Sequence, residues 1–202
     1  MPYKLLADKR RHDKEYVEKR KEQSGADAPF SRPMNVLKIK MPANGLKIAV
    51  IPDVQNKPGL STDHLDWCGQ YLAIKKPDVI VQIGDFGDFP SLSTHENPGS
   101  LRLEGKRYKK DIESIRYAMD RLLEPILRVP GYTPRRILTL GNHEDRITRT
   151  VTANPKLEGL LSLQDLGYVE RGWDVYNFLQ PVSIGGVAFC HYFPSGIMGR
   201  PV

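Results

Sequence analysis

From Leu46 onward, short apolar runs alternate with longer stretches of helical periodicity, and polar loops separate them. Residues 47–52 form a brief apolar run that reads as a buried strand. Pro58 and Gly59 mark a loop, after which Ser61 or Thr62 can cap a helix reaching about Lys76. Residues 78–83 are a second run, rich in β-branched side chains. A polar loop extends through Gly99. The next helix fits residues 108–128, where Ile112, Ile115, Met119, Leu122, Leu123 and Ile126 share one face. Pro125 is expected to kink this helix or end it early. Residues 136–140 give a third strand. Residues 175–182 and 187–192 flank Gly185 and Gly186, which reads as a hairpin. Strands alternating with helices predict an α/β fold, with a largely parallel sheet covered by helices.

The segment before Leu46 differs. Residues 1–23 carry Lys4, Lys9, Arg10, Arg11, Lys14, Lys19, Arg20 and Lys21, with acidic residues such as Glu15 and Glu18 between them. The mixture reads as a solvated charged helix, and a basic arm of this kind can also contact nucleic acid. Residues 24–35, with Gly25, Pro29 and Pro33, read as a linker. The division is therefore a helix and linker over 1–45 and a core over 46–202.

Composition narrows the class. Of 202 residues, 40% are hydrophobic and 27% charged, which suits one globular domain, and the net charge is +6. Cys68 and Cys190 show no disulfide or metal-binding spacing and read as reduced thiols of a cytoplasmic protein. No leader-like apolar segment opens the sequence, and no apolar run is long enough to span a membrane.

The chemistry gathers where the apolar runs stop. The first leads into Asp53-Val54-Gln55, the second into Gly84-Asp85-Phe86-Gly87-Asp88, and the third into Gly141-Asn142-His143-Glu144-Asp145. The last ends in Cys190-His191-Tyr192. Ligands of α/β sheets bind beyond the carboxyl ends of the strands, so these groups should meet at one edge. Gly84 and Gly141 would let the backbone turn sharply there. Carboxylates, an amide and imidazoles form a mixed oxygen and nitrogen set suited to Mn, Fe or Zn. Phosphate-ester cleavage needs such a set. Two metals about 3.5–4 Å apart offset the substrate's charge and activate water, with a carboxylate bridging them.

Asp53-x-Gln55, Gly84-Asp85-x-x-Asp88, Gly141-Asn142-His143-Glu144 and His191, in that order, resemble the calcineurin-like metallophosphoesterase superfamily across residues 46–193. The family pattern is D-x-H, G-D-x-x-D, G-N-H-[DE], a lone His, then G-H-x-H. The resemblance implies a layered metallophosphoesterase-type core and a phosphomonoester or phosphodiester substrate, nucleic acid included. Asp53 would hold the first metal, Asp85 would bridge, and Asn142 and His191 would hold the second. His143 would stay off the metals and face the leaving oxygen. Glu144 or Asp145 would orient it, with Asp88 in a supporting role. Gln55 stands where the family has His, and its amide oxygen, a harder ligand, shifts the expected metals from Zn toward Mn or Mg, with Mn favoured. No G-H-x-H follows His191, and eleven residues remain. The chain is therefore expected to be a fragment or to have an incomplete site, one that binds metal weakly. A non-catalytic binding module on the same fold and a Ser/Thr protein phosphatase are the alternatives. His12, His64 and His95 read as ordinary surface or loop residues.

Overall fold

Val79, Ile80, Val81 and Ile137 are fully buried, and that burial organises the molecule. The computed structural model describes residues 34–94, 101–195 and 200–201. Residues 34–193 form one unit. Its strands are β1 (Asn35–Leu37), β2 (Ile48–Ile51), β3 (Val79–Gln82), β4 (Arg135–Thr139), β5 (Asp174–Tyr176), β6 (Val182–Ile184) and β7 (Val187–Phe189). Its helices are α1 (Asp63–Lys75), α2 (Tyr108–Leu127) and α3 (Asp145–Ala153).

Strands β2-β3-β4-β5 lie side by side in sequence order, all parallel. Both faces of this sheet are covered, which is why its central strands read as unbroken apolar runs rather than alternating ones. Ile80 and Leu138 face the helical side, packing with Leu72 of α1 and Ile115, Met119 and Leu122 of α2. Val79, Val81 and Ile137 face the other way and meet Val182 and Ile184 of a second sheet. That sheet has the order β1-β6-β7, with β1 parallel to β6 and β6 antiparallel to β7. The unit is thus α/β with helices, a parallel sheet and a small mixed sheet in layers. Each fully buried aliphatic side chain contributes roughly 1.5–3 kcal/mol, so the two apolar seams carry much of the stability.

The α/β expectation holds, with three differences in detail. The 175–182 run is not one strand: β5 closes the parallel sheet, a turn follows, and β6 starts the other sheet. The hairpin at Gly185 and Gly186 is made by β6 and β7 alone. Pro125 does not stop α2, which runs on to Leu127. The missing N–H falls in the last turn, where only one backbone bond is forfeited. The unit begins at Met34 rather than Leu46, because Asn35–Leu37 pairs with β6.

In the other unit, β8 (Pro194–Ser195) pairs antiparallel with β9 (Arg200–Pro201). The charged helix expected over 1–23, with His12, and the loop residue His95 lie outside the described residues. No helix among the described residues is long and apolar enough to cross a membrane. Cys68 and Cys190 form no disulfide.

Candidate metal and phosphate site

Because β2, β3 and β4 run parallel, the loops that leave them emerge at one sheet edge, and backbone bonds stitch them together. The Asp85 carbonyl accepts the Val54 amide at 3.1 Å and the Gln55 amide at 2.9 Å. Asn56 and Gly87 form a further bridge. Asp85 sits at φ +51° and Gly84 at φ +97°, a tight left-handed turn. Gly141 approaches that turn so closely that a Cβ on it would lie 2.0 Å from Asp85 Oδ1, and one on Gly84 would lie 2.7 Å from Gly141 Cα. Both positions need glycine for this reason.

Glu144 locks the two loops. It has no exposed surface. Its Oε2 accepts the backbone amides of Asp85 and Gly141, each at 2.9 Å, and its Oε1 accepts that of Gly87 at 3.1 Å. The Tyr168 hydroxyl also reaches Oε1, at 3.4 Å. Burial pushes the Glu144 pKa up and the charge of Asp85 adds to this, while the three amides oppose both. Glu144 therefore does not orient His143. It shapes the loop that carries Asp85. Asp145 begins α3 and pairs with Arg149 at 3.2 Å.

Asp85 lies at the centre, its side chain 3% exposed. Its Oδ1 accepts the His143 amide at 2.8 Å. Its Oδ2 lies 3.5 Å from His191 Nε2 and 3.7 Å from His143 Nε2. His191 Nδ1 is 2.9 Å from the Ile83 carbonyl and 3.8 Å from Asp53 Oδ1. A carbonyl only accepts, so Nδ1 carries a hydrogen and the neutral ring presents Nε2 as a lone pair. That Nε2 lies 2.9 Å from Asn142 Oδ1, itself an acceptor. The contact is satisfied when the Asn142 amide is turned so that its NH₂ donates to Nε2, or when both atoms face one cation. Asp85, Asn142 and His191 thus offer the mixed oxygen and nitrogen set that a divalent metal takes. Asp53 stands at the rim, its side chain 46% exposed. Gln55 contributes its backbone. Its side chain is exposed and makes no hydrogen bond among the described residues. Also among the described residues, no group of three or more His, Cys, Asp and Glu is arranged to hold a metal ion. The set depends on the Asn142 amide.

His143 is held from both sides. Nδ1 lies 3.0 Å from the Asp88 carbonyl and 3.1 Å from Asp88 Oδ1. Nε2 lies 3.2 Å from Arg146 Nη2. The carbonyl fixes the hydrogen on Nδ1, leaving Nε2 to accept from Arg146. Arg146 Nη1 also donates to the Asp88 carbonyl, at 2.6 Å. Lys57 Nζ bonds Asp88 Oδ2 at 2.8 Å. Burial favours the neutral acid at Asp88, but Lys57, His143 and Arg146 together outweigh it and hold the carboxyl below its ordinary value. Burial lowers the pKa of Arg146, against the pull of Asp88 and Asp85.

Sequence reasoning missed Arg146, Lys57 and Tyr168. Arg146 stands three positions after His143, the spacing that brings side chains together where a helix begins. Reading Asp145 as a helix start would have exposed it. Lys57 and Tyr168 reach the site through the fold, and no local signal marks them. No protein-family model matches this chain, and no curated protein matches it.

Proposed function

We propose that this chain is a metal-dependent phosphoesterase of the calcineurin-like type, hydrolysing a phosphomonoester or phosphodiester. One observation carries the reading. Loops from the parallel strands β3 and β4 bring Asp85, Asn142 and His143 together at one edge, and the end of β7 in the second sheet adds His191, in the order of that family's motifs. On this reading, the helix–sheet–sheet layering is the metallophosphoesterase-type core.

Asp85, Asn142 and His191 would hold divalent metal, with Asp53 at the rim, and manganese suits the oxygen-rich set. The metal, when bound, would neutralise phosphoryl charge and acidify water. The residues of the chain do the rest. Asp85 fixes the centre of negative charge. Asp88 holds the His143 ring so that Nε2 faces the site. When Nε2 exchanges its bond from Arg146 for a proton taken from water, it passes that proton to the leaving oxygen as the P–O bond breaks. Arg146 puts positive charge beside Nε2, where a phosphoryl oxygen can be received. Glu144 keeps the Asp85 turn rigid before substrate arrives.

A second reading, a metal- or phosphate-binding module without turnover, draws on the small donor set: among the described residues no group of three or more His, Cys, Asp and Glu is arranged to hold a metal ion. Turnover separates the two. The chain is assayed with manganese on bis-p-nitrophenyl phosphate and p-nitrophenyl phosphate, with Asp85→Asn as the control. Turnover that Asp85→Asn abolishes supports the enzyme. Turnover equal in both forms, or absent from both, refutes it.

A further inference from the structure

A cleft of about 540 Å³ opens beside Asp88 and Arg146. Both residues touch His143, at 3.1 and 3.2 Å, so the cleft begins where the phosphoester site ends. Its walls carry Lys57, Lys106, Arg107, Lys110 and Arg146 against Asp88, Glu104 and Asp111. Two of those carboxylates are already committed. Asp88 bonds Lys57, and Asp111, 1% exposed, accepts the Ser91 amide at 3.0 Å. Lys106, Arg107 and Lys110 form no ion pair among the described residues. Their neighbour Lys109 points elsewhere: it pairs with Glu113 at 3.9 Å and does not line the cleft.

An excess of cations facing one cavity concentrates anions there. Among the described residues no aromatic side chain lines the cleft, so these walls offer charge without a stacking surface for bases. We propose that the cleft is a second anion subsite, which receives the phosphate next to the scissile one in a single-stranded oligonucleotide and reads its backbone rather than its sequence. This rests on the phosphoesterase reading for its place next to His143, while the binding itself can be measured without it.

The test is anisotropy of a fluorescein-labelled oligothymidylate titrated with the full chain at low salt, with chelator present so that metal plays no part. The triple variant Lys106→Glu, Arg107→Glu, Lys110→Glu is compared with wild type and with Lys109→Glu. Acidic residues at the start of α2 suit the helix dipole, so the fold should tolerate them. Should the triple variant misfold, Lys110→Gln reports the same direction with a smaller effect. The subsite predicts that the triple variant binds about tenfold or more weakly with a shallower salt dependence, because phosphate contacts release counterions. Lys109→Glu should bind as wild type does. Turnover of bis-p-nitrophenyl phosphate, which lacks a second phosphate, should be unchanged in both variants. Equal losses in the triple variant and Lys109→Glu, or no binding by wild type, overturn the subsite. If no form turns over the ester while the difference in oligonucleotide binding persists, the subsite stands and the phosphoesterase reading falls.

Discussion

The Glu144 carboxylate accepts the backbone amide of Asp85 at 2.9 Å, from a position with no exposure to solvent. A backbone amide that water cannot reach needs an acceptor, and Glu144 supplies one to three such groups. Glu144→Gln replaces one oxygen with an NH₂ that cannot accept. At least one buried amide is then unsatisfied, at a cost of about 1–3 kcal/mol. Urea denaturation should show a lower midpoint at unchanged slope. An unchanged midpoint would mean that the loop is held by other bonds.

His143 should govern chemistry and leave metal binding alone. Its ring is bound by Asp88 on one side and Arg146 on the other. His143→Asn should lower kcat by about 10²–10⁴-fold, the usual worth of a positioned acid. Metal content by elemental analysis should stay the same. Loss of metal together with activity would make His143 a ligand.

Asp88 predicts a pH dependence. Its folded pKa lies below the ordinary carboxyl value, held there against burial by Lys57, His143 and Arg146. Stability from this group is therefore present above its unfolded pKa, about 3.9. It is lost as pH falls through the depressed folded value. Asp88→Asn should be less stable than wild type at neutral pH, and the gap should shrink below about pH 4. Denaturation midpoints measured from pH 7 down to pH 3 would show this. A gap constant across that range would contradict it.

How much of this was legible in the sequence depends on the range of each interaction. The apolar runs around Ile48, Val79 and Ile137 gave the parallel strands, because burial on both faces leaves a local signature. Their polar endings gave Asp85, Asn142 and His143, because a parallel sheet delivers its loops to one edge, while His191 arrives from the end of β7 in the second sheet. The roles of Asp88 and Glu144 were not legible. Both are acidic residues beside His143 in the fold or the chain, and only the turn at Gly84–Asp85 decides which touches its ring. The short β1 was hidden in a segment with turn-forming residues, since its pairing with β6 spans most of the chain. The cleft's charge comes from a run of basic residues at 106, 107 and 110. That Lys110 faces the cavity and Lys109 does not follows from the phase of α2, while Lys106 and Arg107 reach it from the loop before the helix.

The central claim is that the strand-end cluster is a metal site built on Asp85. The direct measurement is calorimetric titration of the chain with manganese, wild type against Asp85→Asn, with circular dichroism showing both folded. Asp85 is buried among the donors, so removing its charge should weaken binding by at least about tenfold, as losses even outside the ligand shell do. Saturable binding by wild type with that loss in Asp85→Asn is the predicted result. Equal affinity in the two forms, or no binding by wild type, would contradict it.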